Sequence, residues 1–370
     1  MLFIGEVIMA KQTALESKRK EVREEILAMK EKIPSAKIFN FFGRVFKKES
    51  LGYWLSNFIA LNLITFSPWI LIGLLLNELI PNQYLWYPAS VVIVYFVLSL
   101  LLVHILTTNL FKKISDQIIA KINEPEDLEN FLQWFKSSWS AQVVVRFIVI
   151  AAASWVLLGL GGISIAYHKF VGIGFSITTM ITGALVGTTL YPVFWFGWLG
   201  LKLKEYQYEL NTFSPPDSEV IKDISNILTK RVYILAVFIA LGNVIGSTIL
   251  TERSLTIVFA LPIALFIWLV IIALFLIIRS TLVTIVDRAK WKTLNKLQVQ
   301  INSIEAKNDL SDKEIAEKLL RLDDLYKRVL ASETRIFDLN SLSTLFSQLM
   351  LPLLGLLLGN IDQVMALFKK

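Results

Sequence analysis

The 370-residue chain is 55% hydrophobic and 18% charged, with a formal net charge of +7 and a mean hydropathy of +0.60. Such a balance lies outside that of a soluble domain, and the absence of cysteine excludes disulfides and thiolate metal sites. A pI near 9.3 follows from cations flanking membrane spans, so no nucleic-acid partner is expected.

Apolar residues cluster in uncharged windows of the length that crosses hydrocarbon, about 20 residues of helix. Only helices or closed barrels satisfy their backbone in lipid, and these windows lack barrel alternation. The expected fold is an all-α integral membrane protein. It comprises a six-helix transmembrane bundle of three N-in hairpins, a cytoplasmic helical hairpin and amphipathic terminal helices.

In chain order, residues 1–50 come first. Met1 to Ala10 lacks the basic start and cleavage site of a signal peptide. Ala10 to Lys32 is a charge-rich helix with Leu15, Val22, Ile26 and Met29 near heptad spacing, suited to pairing with another cytoplasmic helix. After Pro34, Ile38, Phe39, Phe41, Phe42, Val45 and Phe46 alternate with Lys37, Arg44, Lys47 and Lys48. This pattern suits either an in-plane amphipathic helix at the lipid surface or packing against the protein's own loops.

Residues 51–286 hold the spans, read as Tyr53 to Leu79, Trp86 to Phe111, Trp139 to Tyr167, Phe170 to Leu201, Val232 to Leu250 and Leu255 to Ile278. Links on the first side carry two cations, Lys169 and Arg253, against thirty-one on the other side. The N-terminus is therefore expected in the cytoplasm of a cell whose membrane the chain crosses. Inner links 112–138 and 202–231 read as helical. Pro125 starts a helix with Leu128, Phe131, Leu132 and Phe135 on one face; Ser214-Pro-Pro-Asp217 starts another with Val220, Ile221, Ile224 and Ile227 together. Span, cytoplasmic helix and return recur three times as an architectural repeat, without residue-level similarity.

Residues 287–336 read as an antiparallel hairpin. Leu294, Leu297, Ile301 and Ile304 form its first stripe, and Ile315, Leu319, Leu322, Tyr326 and Val329 its second, with a capping box at Ser311 to Glu314 between them. Within 337–370, Leu342 to Leu358 is apolar but interrupted by Pro352 and Gly355. An interfacial or re-entrant course is expected, because spanning would carry Lys369 and Lys370 to the cation-poor side.

Polar groups inside spans are the candidate sites. Asn57, Asn62, Thr65 and Ser67, near Pro68, lie where they can share one face of the first span. They act either as interhelical glue or as the lining of a hydrophilic path. Arg146 either snorkels to water or contacts an anion or lipid headgroup at the inner leaflet; His104 is either a packing residue or a proton-sensitive gate. Gly183 and Gly187, and likewise Gly242 and Gly246, are four apart and mark helix-packing faces.

Span interiors hold no carboxylate, the two histidines are far apart, and phosphate-loop, zinc-helix and nucleophile-elbow motifs are absent. No cofactor, metal or enzyme activity is expected. The primary expectation is a non-catalytic assembly, scaffold or signalling component in the lipid bilayer, joined to itself or to a cytoplasmic protein through 287–336. The alternative is a channel or permease subunit. Six spans with tiny outer loops and two long inner ones resemble the membrane half of ABC exporters. That resemblance implies a separate ATPase docking on Leu128 to Phe135 or Val220 to Ile227.

Overall fold

The structure is a computed structural model and describes residues 2–43, 50–75, 83–167, 173–211, 214–249, 261–307, 313–331 and 339–359. Among these the chain is helical, with no strand beyond one isolated bridge pairing Ile122 with Tyr208. The helices are α1 (Leu2–Met29), α2 (Pro34–Phe42), α3 (Leu51–Leu75), α4 (Gln83–Lys113), α5 (Pro125–Ser138), α6 (Ala141–Tyr167), α7 (Ile173–Leu203), α8 (Glu219–Ile249), α9 (Leu261–Lys307), α10 (Lys313–Ala331) and α11 (Leu339–Gly359). The turns expected between paired spans, at 76–82, 168–172 and 250–260, lie outside the described residues, as do Arg44 to Glu49 and the capping box's Ser311.

Five segments are long and apolar enough to cross a membrane: Leu51–Ile72, Ile93–Lys121, Ser176–Leu203, Glu219–Gly242 and Trp268–Ala306. α6 adds a sixth only when it is counted together with α5, from which it bends by 43°. Leu63, Leu71, Val149, Ile150, Leu157 and Leu269 project from this bundle into open space. Exposed apolar side chains on this scale suit lipid and not water. The protein therefore has the architecture of a helical membrane protein.

α7 is the central helix, touching α3, α4, α6, α8 and α9. Its small residues permit this on two sides. A side chain at Gly183 or Gly187 would run into the α6 backbone at Ala152 or Ile148, while Gly197 and Gly200 leave room for Leu274 and Ile277 of α9. Thr281 donates to the Gly200 carbonyl at 2.8 Å, adding a polar tie along the second contact.

The charged end of the bundle is a packed helical body. Its core joins Val22, Ile26 and Met29 of α1 to the α5 stripe, to α7 around Trp195 and Leu199, to α8 at Val220 to Ile227, and to Leu282 and Val286 of α9. α4 leads into it through a π-helical turn, Ile114–Ile118, and a 3-10 turn, Ile119–Lys121. The wider π turn brings Ile114, Ile118, Ile119 and Ile122 all into the core. Outside this core, Lys18 pairs with Glu129 at 2.6 Å, Arg23 with Asp116 at 3.0 Å, and Lys136 with Glu25.

The α5 to α6 bend is stabilised from α7. At the end of α5 the Ser138 carbonyl accepts from the Tyr191 hydroxyl, and Ser138 Oγ accepts from Trp195 Nε1 at 2.8 Å. The two long links are also tied together: Asn123 N–H donates to the Gln207 carbonyl, Gln207 N–H to Asp127, and Arg19 to the Ile122 carbonyl at 2.8 Å.

α8 differs from its sequence pattern in being one helix from the charged end into the apolar region. No glycine or proline occurs between Glu219 and Leu241, so nothing interrupts it at the expected span boundary near Val232. α11 runs beside α8 in the same direction, Gln348 meeting Thr229 and Gly355 meeting Ala240. This parallel pairing carries α11 inward along the bundle rather than across its charged end.

Candidate functional site

Each of the four polar groups on α3 is bonded to its own helix. Asn57, Asn62 and Thr65 donate to the carbonyls of Tyr53, Phe58 and Leu61, all at 2.7 to 2.8 Å. Ser67 donates to the Ile64 carbonyl at 3.1 Å. That last bond has a local cause, since Pro68 has no N–H and leaves the Ile64 carbonyl without its helical donor. Between helices, Thr178 of α7 donates to the Thr65 carbonyl at 3.0 Å. These groups satisfy backbone and tie α3 to α7, and the amide oxygens of Asn57 and Asn62 remain buried without a partner.

His104 is buried, its Nδ1 3.0 Å from Ser35 Oγ and its ring 4.7 Å from the centre of the Phe39 ring. α2 therefore docks through Ser35, Ala36 and Phe39 onto α4, while Phe41 points away from the protein. The amphipathic pattern thus serves two surfaces, the protein on one side and the surroundings on the other. A small polar cavity beside His104 is lined by Lys30, Glu31, Asn40, Tyr53, Trp54 and Asn109. Asn40 closes part of it, donating to Glu31 and accepting from the Tyr53 hydroxyl.

Arg146 is elsewhere, exposed on α6 near its charged end. The structure does not bring it together with His104 or with the α3 amides. Gly183 and Gly187 lie against α6, whereas Gly242 makes room for Tyr95, whose hydroxyl donates to the Phe238 carbonyl at 2.9 Å. Gly246 lies in α8, and its surroundings fall outside the description.

The faces proposed for ATPase docking are covered by the chain itself. Leu128, Phe131, Leu132 and Phe135 are buried, as are Val220, Ile221, Ile224 and Ile227. Stripes that resembled outward docking surfaces are instead the interior of the charged-end body.

The arm formed by α9 and α10 remains open. The two helices meet antiparallel, Lys290 donating to the Leu330 carbonyl at 2.8 Å, with Leu294, Ile301 and Val329 buried between them. Ile315, Leu319, Leu322 and Tyr326 are only half-covered, because two helices cannot enclose a stripe from both sides. Val299 and Leu320 are 67% and 66% exposed, so apolar surface also lies outside the seam. Ion pairs such as Lys327 with Asp323 and Arg328 with Asp324, both 2.7 Å, give α10 alternating charges of both signs.

Two residues with evident roles escaped the pattern. Arg279, which no sequence motif marks, is 92% buried in α9, its guanidinium 5.3 Å from the Phe275 ring centre. Gly355 resembled a helix break, yet a Cβ there would fall 2.3 Å from the Ala240 carbonyl oxygen. Compared with known protein families, curated proteins and solved structures, the chain matches none.

Proposed function

We propose that this protein is a non-catalytic assembly component of the cytoplasmic membrane, which associates with a second copy of itself through the α9 and α10 arm on the cytoplasmic side. The observation that carries this is the incompletely covered seam of that arm: regularly spaced apolar side chains half-exposed on a helix pair leading from a membrane-length helix. A second copy fits better than a strongly charged partner. On α10 the cations Lys318, Arg321, Lys327 and Arg328 are interleaved with Glu314, Glu317, Asp323 and Asp324, so a copy presents complementary signs.

The thirty-one to two excess of cations on one side supports the orientation. Light scattering of the detergent-solubilised full chain, beside a variant lacking residues 289–332, tests the proposal. A protein mass of at least two chains that falls to one on deletion is the expected outcome. An unchanged mass in the variant, or a monomeric parent at micromolar concentration, overturns it.

A further inference from the structure

Between α4 and α8, at the boundary of the charged end and the apolar bundle, two cavities share a wall. The outer one, about 390 Å³, is lined by Lys112, Lys113, Lys230 and Arg231, with Asp116 its single carboxylate. Asp116 is engaged by Arg23 at 3.0 Å, and none of the four lining cations makes an ion pair among the described residues. Four like charges at the edge of a low-dielectric bundle repel one another, and an anion among them relieves that repulsion.

The inner cavity, about 170 Å³, is apolar and includes Phe96, Val103, Val193, Phe196, Leu235 and Leu274 in its walls. Leu106, Arg231 and Ile234 line both cavities, so a cationic space and a greasy one adjoin across this shared wall. Its hydroxyls are turned away: Ser99 and Thr107 each donate to a carbonyl one turn back on α4, at 2.7 Å. Along α4 the inner wall runs from Leu110 to Tyr95, about 22 Å of helix. One leaflet's share of the hydrocarbon core is about 15 Å. The deep end is closed by Tyr95, bonded across to the Phe238 carbonyl.

The geometry points to a binding site for an anionic glycerophospholipid, its phosphate among Lys112, Lys113, Lys230 and Arg231 and an acyl chain along the inner cavity. Cationic pockets between membrane helices at the headgroup level suit this ligand class. A free anion would leave the apolar length unused, and a neutral lipid would leave four cations uncompensated. The site is separate from the α9 and α10 arm, and its failure would leave self-association standing.

The test uses the full-length chain in a neutral detergent, titrated with dioctanoyl phosphatidylglycerol, dioctanoyl phosphatidylcholine, glycerophosphoglycerol and inorganic phosphate, with binding read by thermophoresis. Phosphatidylglycerol is expected to saturate at least tenfold tighter than the other three. Lys230→Gln with Arg231→Gln should remove most of that preference, and Leu235→Trp should weaken the lipid while leaving phosphate unchanged. Lys112→Gln with Lys113→Gln on the opposite wall repeats the charge test if the α8 pair fails to fold. Equal affinity for the two lipids overturns the proposal, as does phosphate binding as tightly as phosphatidylglycerol, or folded charge variants that retain parent affinity.

Discussion

Asn62 donates its amide hydrogen to Phe58 and leaves its oxygen buried without a partner. A buried acceptor without a donor costs free energy, whereas an apolar replacement of similar shape removes that cost. Asn62→Leu should therefore leave stability within about 1 kcal/mol of the parent or raise it, read from unfolding in mixed detergent. A loss of several kcal/mol would instead mean that the amide has a partner along a polar path, the other role open to it. Gly183 should behave in the opposite way. Gly183→Val pushes into the Ala152 backbone, which cannot yield as a flexible side chain can. Overpacking should cost about 1–3 kcal/mol in the same assay, and an unchanged midpoint would refute the close α6 to α7 contact. The close approach at Gly183 and Gly187 was legible from sequence because small residues four apart let helix backbones meet. Gly355 was not legible: beside Pro352 it resembles a breaker, and only the position of Ala240 reveals it as a contact. Arg279 was missed for a similar reason, since its burial depends on neighbours distant in sequence.

Among the elements, α1 shows what decides docking. Val22 and Ile26 are fully enclosed, while the ion pairs between α1 and α5 are exposed and contribute little. Ile26→Ala should cost about 2–5 kcal/mol and release α1, seen as rapid hydrogen exchange over Val22 to Met29; Lys18→Gln should leave that protection largely intact. The pH response follows from the same pairs. The hydrogen bond from Lys18, then that from Gln133, holds the Glu129 carboxyl below its ordinary 4.5, and the bonds to Glu129 and Glu21 raise Lys18 above 10.5. The electrostatic share of docking is thus complete between those ordinary values. It is lost as pH falls through the lowered Glu129 value or rises through the raised Lys18 value. Protection factors in α1, which allow for the intrinsic pH dependence of amide exchange, should fall modestly below pH 4.5 and stay level between neutrality and about pH 9, and a transition near neutrality would count against this account. The stripes of α1, α5 and the start of α8 were readable because helical periodicity marks a buried face. Periodicity does not name the partner, and so the α5 and α8 stripes suggested a foreign protein when they cover one another's core. The ties among Arg19, Ile122, Asn123 and Gln207 had no sequence signal, because they use mostly backbone groups.

At the scale of the molecule, α9 is a single helix of 47 residues, about 70 Å long. It has no glycine, and its only proline is at position 262, so no ordinary cause of a kink falls within its remaining length. The apolar half of this helix packs on α7 and α8, and its far half forms one strand of the arm. A rod of this kind acts as a lever. Arg288 and Lys292 still bond to the charged-end body, and from Thr293 to Lys307 the helix reaches about 21 Å beyond it, so a tilt of about 10° at its packed base moves the tip by about 4 Å. The relation also runs in reverse: whatever clasps the tip acts with leverage on the seams at Gly197 and Gly200, where α9 rests on α7.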